Sequence, residues 1–144
     1  MKLFASLTLI TALATTAFAQ SISIQAPVDG TTVQAGSSIT VEVIQHSSTS
    51  DLVQVALAIG LGVPNSAPAI GGNILYNGPF NPQIQNTGIP TGQGPPTAIL
   101  QNFTVTIPTS TPAGLMSLNV AHFDLTGAIK IPHAETVNIT LNVV

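Results

Sequence analysis

The sequence predicts an all-β protein, a two-layer antiparallel β-sandwich, and three observations support this prediction. Apolar and polar residues alternate with a period of two along most of the chain, as in strands with one face on a core. Pro, Gly, Asn, Ser and Thr separate the alternating runs, as expected for short strands joined by turns. No helical apolar stripe occurs after the first nineteen residues. The pattern is typical of an immunoglobulin-like or fibronectin-III-like sandwich of about seven to eight strands.

Residues 1–19 are predicted to form a signal peptide that is removed on secretion. Lys2 gives a cationic start, residues 3–14 are mostly apolar, and Ala17-Phe18-Ala19 has the small-x-small pattern of a cleavage site. The apolar stretch is shorter than the ~20 residues that span a membrane, so we do not expect membrane insertion. We expect residues 20–144 to form a single secreted, extracellular domain.

The alternation predicts eight strands after the leader. They occupy residues 21–25, 31–34, 38–45, 52–60, 73–76, 99–107, 115–123 and 136–143. The turn Pro27-Val28-Asp29-Gly30 separates the first two strands, and Ala35-Gly36 separates the second from the third. A corner from Pro108 to Gly114 separates the sixth strand from the seventh. Because the chain has no cysteine, we expect apolar packing and sheet hydrogen bonds, with no disulfide, to hold these strands together.

Side-chain alternation along the four longest patterns also assigns the two faces of each strand. The residues predicted to face the core are Ile39, Val41, Val43, Val53, Val55, Leu57, Ile59, Phe103, Val105, Ile107, Val137, Ile139, Leu141 and Val143. The residues predicted to face solvent are Thr40, Glu42, Gln54, Ala56, Ala58, Asn102, Thr104, Thr106, Asn138, Thr140 and Asn142. Two layers of such strands, with their apolar faces together, make a sandwich.

Two N-x-[ST] sequons provide an independent check on these faces. They are Asn102-Phe103-Thr104 and Asn138-Ile139-Thr140, and a glycan on either asparagine must extend into water. Both asparagines fall on faces that the alternation makes polar. The sequons therefore support the predicted strand register and mark Asn102 and Asn138 as candidate glycosylation sites, with ordinary outward-facing asparagines as the alternative.

The stretch from Gly60 to Ala98 interrupts the regular alternation. It holds most of the prolines and eight of the twelve glycines, with one short predicted strand at residues 73–76. A loop this long in a compact domain is usually functional or disordered. Within it, Tyr76 and Phe80 flank a turn that proline rigidifies. The two rings are either anchors for a partner or plugs at the end of the core, and the sequence leaves both interpretations open.

Ionisable side chains are scarce. Without Lys2 the chain keeps one lysine and five acids, so its net charge is −4, and three histidines complete the set. Catalysis of polar reactions needs positioned acids, bases, nucleophiles or metals, so we expect no enzymatic activity. Nucleic acid and anionic lipid require lysine and arginine to neutralise phosphate, so we expect neither as a partner.

The histidines suggest a metal site as an alternative. His122 and Asp124 are two residues apart and can share one strand face, whereas His46 and His133 are predicted in loops. No pair of residues has the spacing of a common metal motif, and no G-x-S-x-G elbow marks a hydrolase. We therefore expect no cofactor and no metal, and a strand-end His122 that is satisfied by a local carbonyl or carboxylate.

Four segments carry a family resemblance. They are G-N-I-L-Y-N-G-P-F-N-P-Q (Gly72 to Gln83), Q-N-F-T-V-T-I-P (Gln101 to Pro108), L-N-V-A-H-F-D-L-T-G-A (Leu118 to Ala128) and V-N-I-T-L-N-V (Val137 to Val143). Together they resemble the necrosis-inducing secreted protein family of fungi. The L-Y-N-G-P-F-N-P-Q block followed by V-A-H-F is the specific part of this resemblance. Some members of that family carry a cysteine pair in the loop ahead of this block, where the present chain has none.

The resemblance implies a secreted, non-catalytic fungal effector found outside the producing cell, in the host apoplast or host cytoplasm. It implies binding to plant receptor-like kinases and their cytoplasmic partner kinases, suppression of pattern-triggered immunity, and cell death as a second output. The segments where the resemblance is densest give the candidate contact residues. These are Tyr76, Asn77, Phe80, Asn81, His122 and Phe123.

A wall-associated module that binds polysaccharide or packs in an extracellular matrix is the alternative function. Carbohydrate-binding surfaces usually present stacked aromatic side chains. This chain has no tryptophan and one tyrosine. The composition therefore favours a protein partner over a polysaccharide.

Overall fold

The computed structural model describes residues 22–46, 51–64, 73–86 and 97–144. The predicted signal peptide, residues 1–19, lies outside these ranges. The described residues form nine strands: β1 (Ile22–Ala26), β2 (Thr31–Val33), β3 (Ser38–Gln45), β4 (Leu52–Gly62), β5 (Asn73–Gly78), β6 (Gln83–Asn86), β7 (Thr97–Thr106), β8 (Gly114–Thr126) and β9 (Ile131–Val143). None of the described ranges contains a helix that could cross a membrane.

The strands form two sheets, which confirms the predicted all-β sandwich. One sheet has the order β1-β3-β7-β6, and the other has the order β2-β9-β8-β4-β5. Neighbouring strands are antiparallel except β2 and β9, which pair in parallel through Thr31–Val33. The structure therefore differs from a purely antiparallel sandwich at one edge, where the short β2 lies beside the end of the last strand.

Each of the eight predicted strands is present, and β6 is an addition that the sequence pattern did not predict. Its four residues, Gln83-Ile84-Gln85-Asn86, contain one apolar side chain and follow a proline, so they give no alternation to recognise. The strand exists because β7 offers an open edge, with Ile84 opposite Ile99. Tertiary pairing therefore decides the structure of this segment.

The β8–β9 hairpin is longer than predicted at its turn. Both strands have 13 residues, and they pair from Gly114 opposite Val143 to Thr126 opposite Ile131. In the turn, Gly127 has φ 74° and Lys130 has φ 55°. The Gly127 amide donates to the Asp51 carbonyl at 2.8 Å, and the Lys130 ammonium pairs with the Asp51 carboxylate. These contacts fasten the residue ahead of β4 to the tip of the hairpin.

The core lies between the two sheets and confirms most of the predicted faces. The core cluster is formed by Ile22, Val33, Val41, Val43, Leu57, Ile59, Leu61, Phe80, Phe103, Val105, Ile107, Met116, Leu118, Val120, Val137, Leu141 and Val143. Ile39 and Ile139 are partly buried and pack against it. Asn102 and Asn138 are exposed, as the sequons required. The predicted register of β7 and β9 is therefore correct.

The predicted faces are wrong at the start of β4. Val53 and Val55 were expected in the core but are 40% and 50% exposed. The cause is a β-bulge between Gln54 and Ala56, which adds one residue to β4 where it passes β8. Because side chains alternate with a period of two, one extra residue moves those before it to the opposite face. Gln54, which was expected to face solvent, therefore points inward.

Ala58 lies on the outer face of the sheet, as predicted, although it is buried there. It is 7% exposed, because β4 runs inside the sheet and Ala58 lies between Ala121 on β8 and Asn77 on β5. The neighbouring strands on both sides exclude solvent from the single methyl group of Ala58. Its low exposure therefore reflects its central position in the sheet.

The bulge can be tested with a pair of substitutions in β4. Leu57→Ala should lower the free energy of unfolding by about 2–5 kcal/mol, because it leaves a cavity in the core. Val55→Ala should change it by no more than about 0.5 kcal/mol, since a half-exposed side chain leaves no cavity. Urea unfolding measures both values. Without a bulge the two side chains would share the core face, so equal losses would contradict this structure.

Candidate functional site

Five polar residues converge on the inner face of the five-stranded sheet, at the end of the sandwich near the β8–β9 turn. The register places His122 opposite Glu135, and it places Asp124 opposite both His133 and Gln54. We call Gln54, His122, Asp124, His133 and Glu135 the polar cluster. It contains two of the five acids and two of the three histidines in the chain, so it is the densest group of ionisable side chains in the described residues.

His122 is the centre of the polar cluster and is fully buried. Its Nδ1 lies 3.0 Å from Glu135 Oε1, and its Nε2 lies 2.5 Å from Gln54 Oε1. The Phe80 ring contacts the imidazole edge to face, with ring centroids 5.2 Å apart. Both ring nitrogens are therefore engaged, and an aromatic ring covers the imidazole.

Asp124 joins the second histidine to the cluster. It is 1% exposed, and its Oδ1 lies 2.8 Å from His133 Nδ1 and 3.9 Å from His122 Nδ1. His133 lies at the rim, with its side chain 42% exposed. Imidazoles and carboxylates thus alternate from the buried His122 to the surface, and each carboxylate faces an imidazole nitrogen.

The three histidines do not converge on one site. His46 lies at the end of β3 in the other sheet, where its Nε2 is 2.9 Å from Ser23 Oγ. Within the described residues, no group of three or more histidine, aspartate or glutamate side chains is arranged to hold a metal ion. His122 instead has the carboxylate of Glu135 as a local partner. The predicted local carboxylate partner is therefore present, but His122 lies within β8, which continues to Thr126, and not at a strand end.

Phe80 and Tyr76 pack at the end of the core. Phe80 is 1% exposed and stacks on Phe103, with ring centroids 6.4 Å apart. Tyr76 is partly buried, and its ring centroid lies 4.6 Å from that of Phe103. The Tyr76 hydroxyl donates to the Pro79 carbonyl at 2.9 Å and so closes the turn on itself. The structure places Phe80 in the core, which agrees with the interpretation that this ring fills the end of the core.

The six candidate contact residues divide by exposure. Phe80 and His122 are buried, and Tyr76 is partly buried. The other three are exposed: Asn77, Asn81 and Phe123, the last of them by 43%. These three are the members of the set that are exposed to a partner. The turn that carries Tyr76 to Asn81 and the β8 segment that carries His122 and Phe123 are in contact, because the Phe80 ring packs against the His122 imidazole.

An exposed apolar surface surrounds Phe123. Phe123 pairs with Ala56 and Ala134, and the next outward row pairs Leu125 with Val53 and Pro132. We call the exposed members Val53, Val55, Phe123, Pro132 and Ala134 the outer apolar patch. Sequence reasoning missed this surface because it assigned both valines to the core. The bulge that exposes them leaves no signal in the alternation.

The polar cluster can be tested by removing its central side chain. His122→Leu should lower the free energy of unfolding by about 3–5 kcal/mol, because buried carboxylates lose the imidazole that faces them. The double variant His122→Leu/Glu135→Leu should recover a large part of this loss, since it removes a buried charge together with its partner. Urea unfolding measures both, with the exposed His46→Leu as the control without measurable effect. An unchanged stability in His122→Leu would mean that the polar cluster contributes nothing to the fold.

Comparisons with known proteins bear on the family of this chain. No curated protein matches it. A model of the Nis1 family matches residues 17–142, which is most of the chain. This match confirms the resemblance to the necrosis-inducing secreted proteins, and it indicates an effector and is consistent with secretion. The chain, which has no cysteine and whose described residues form a β-sandwich, therefore belongs to the Nis1 family.

Proposed function

We propose that this protein is a secreted, non-catalytic effector that binds plant receptor-like kinases and their cytoplasmic partner kinases. Binding suppresses pattern-triggered immunity, and cell death is a second output. Membership of the Nis1 family supports the effector role. The observation that carries the binding role is the outer apolar patch, a set of exposed apolar side chains with no charge among its members.

The use of the ionisable groups supports a non-catalytic role. Four of the eight acids and histidines lie in the polar cluster, where they contact one another. Asp29 accepts a hydrogen bond from the Thr140 amide, and Asp51 pairs with Lys130. These groups hold strands and turns in place. A protein that commits so many of its few charges to its own structure is better suited to recognition than to turnover.

The outer apolar patch has the composition of a protein-binding surface. Aromatic side chains with aliphatic neighbours make good interface anchors when they are preorganised on strands. Phe123 is fixed by pairing of β8 with both β4 and β9. Asn77 lies on the same outer face, because it pairs with Ala58, which in turn pairs with Ala121. The exposed candidate residues Asn77 and Phe123 therefore belong to one continuous surface.

Phe123→Ser should weaken binding to the kinase by at least about 30-fold, as expected when a hot-spot side chain worth about 2 kcal/mol is removed. Leu115→Ser is the matched control, because Leu115 is on the same strand and is 62% exposed, but it lies at the other end of the sheet. The measurement is a titration of each variant against receptor-like kinase ectodomains and kinase domains, with melting temperature as the folding control.

Two outcomes would overturn the proposal. Equal binding by the Phe123→Ser and Leu115→Ser variants, at unchanged melting temperatures, would exclude the outer apolar patch as the contact surface. Sedimentation with insoluble chitin or glucan, with no kinase recovered from plant membrane extract, would favour the wall-associated alternative.

A further inference from the structure

We infer that Asn102 and Asn138 both carry N-linked glycans, and that these two glycans stand on the outer faces of different sheets. Asn102 belongs to β7 in the four-stranded sheet, and Asn138 belongs to β9 in the five-stranded sheet. The inference concerns a covalent modification and the surface that it covers. Its first part does not depend on which partner the protein binds.

The environment of Asn102 permits a glycan. Its neighbours Phe103 and Val105 are in the core at 4% and 2% exposure, so the alternation along β7 forces Asn102 and Thr104 outward. Both of these residues are exposed. The residue opposite Asn102 is Glu42 of β3, a hydrophilic neighbour beside which a sugar can remain hydrated. The acceptor amide and the sequon hydroxyl therefore both lie on the solvent side.

The environment of Asn138 is equivalent on the other sheet. Val137 is 7% exposed and Ile139 packs against the core, so Asn138 points away from it. Opposite it lies Asn119, whose side chain is hydrogen-bonded to Ser117. Asn119 is 5% exposed, so its side chain does not project into solvent beside Asn138. A glycan on Asn138 can therefore leave the sheet without displacing a neighbouring side chain.

The modification requires a transferase and a lipid-diphosphate-linked oligosaccharide, both of which act in the secretory pathway. The Asn Nδ2 forms a bond to C1 of the first sugar while the bond between C1 and the diphosphate oxygen breaks. The amide loses one proton, and the lipid diphosphate leaves. Asn102 and Asn138 both lie in paired strands. We therefore place the transfer before those strands pair, during entry into the secretory pathway.

The glycans would also limit where a partner can bind, and this part rests on the proposed function. Asn138 is four residues from Ala134 on the same outer face of β9, which is about 13 Å along the strand. Its glycan would border the outer apolar patch on the side away from the β8–β9 turn. The Asn102 glycan would shield the outer face of the other sheet. Contact would then be confined to the end of the five-stranded sheet that carries the β8–β9 turn.

Intact mass spectrometry before and after treatment with peptide N-glycosidase tests the modification on the full chain secreted from a eukaryotic host. A second preparation carries the host's own leader ahead of residue 20, so that entry into the secretory pathway does not depend on residues 1–19. We expect two glycans on the wild type. Thr104→Ala and Thr140→Ala should each remove one while keeping the asparagine, and Thr104→Ser and Thr140→Ser should retain both.

The Thr140 variants are suitable because the backbone amide of Thr140, rather than its side chain, donates to Asp29 Oδ1 at 2.6 Å. An unmodified mass for the secreted wild type would overturn the inference. A single glycan that survives in both alanine variants would do so too, because it would lie outside the two sequons.

A variant with an additional sequon tests the glycosylation and the proposed contact surface independently of each other. Ala134→Asn creates an acceptor in the outer apolar patch, because Thr136 supplies the hydroxyl two residues later. The added glycan should abolish kinase binding, whereas the native glycans should leave it within about twofold of the enzymatically deglycosylated protein. Mass spectrometry reports the modification and the binding titration reports the surface. A third glycan with unchanged binding would contradict the proposal that the outer apolar patch is the contact surface. The inference that Asn102 and Asn138 are glycosylated would not be affected by that result.

Discussion

The apolar contact between the two sheets is the interaction on which the rest of this structure depends. The chain has no cysteine, so no disulfide cross-links the layers. Val41, Val43 and Phe103 from one sheet and Leu57, Ile59 and Leu118 from the other supply the contact. Hydrophobic packing does not respond to redox conditions. The same fold can therefore persist in an oxidising extracellular space and in a reducing cytoplasm, which suits an effector proposed to meet partners in both.

One bulge in β4 generates both of the distinctive surfaces. By adding a residue beside β8, it turns Gln54 inward to His122 and turns Val53 and Val55 outward beside Phe123. The polar cluster and the outer apolar patch thus both result from this bulge and lie on opposite faces of the sheet. Bulges commonly redirect side chains next to functional sites. Here the redirection places polar groups inside, where they stabilise the hairpin, and apolar groups outside, where they are free for recognition.

The scarcity of charge shapes how the protein can act. The ionisable side chains are largely committed to contacts within the fold, as in the polar cluster and the pairing of Lys130 with Asp51. What remains at the surface is mostly neutral: apolar side chains at one end of the five-stranded sheet, and asparagine, serine and threonine on the broad faces. A neutral surface gives little long-range steering, so complementarity of shape and apolar contact would determine partner choice.

The sequence by itself determined the fold class, eight of the nine strands that the described residues form, the core faces of β3, β7 and β9, and the outward positions of Asn102 and Asn138. Strict alternation encodes these features locally, because a residue's neighbours along the strand fix the face on which it lies. Only the tertiary structure decided the bulge, β6, and the burial of His122 and Phe80. Each depends on a strand or ring that is distant in the chain: β8 for the bulge, β7 for β6, the Phe80 ring for His122, and the Phe103 ring for Phe80. Local pattern carries no information about such partners, so the polar cluster and the outer apolar patch emerge only when the sheets come together.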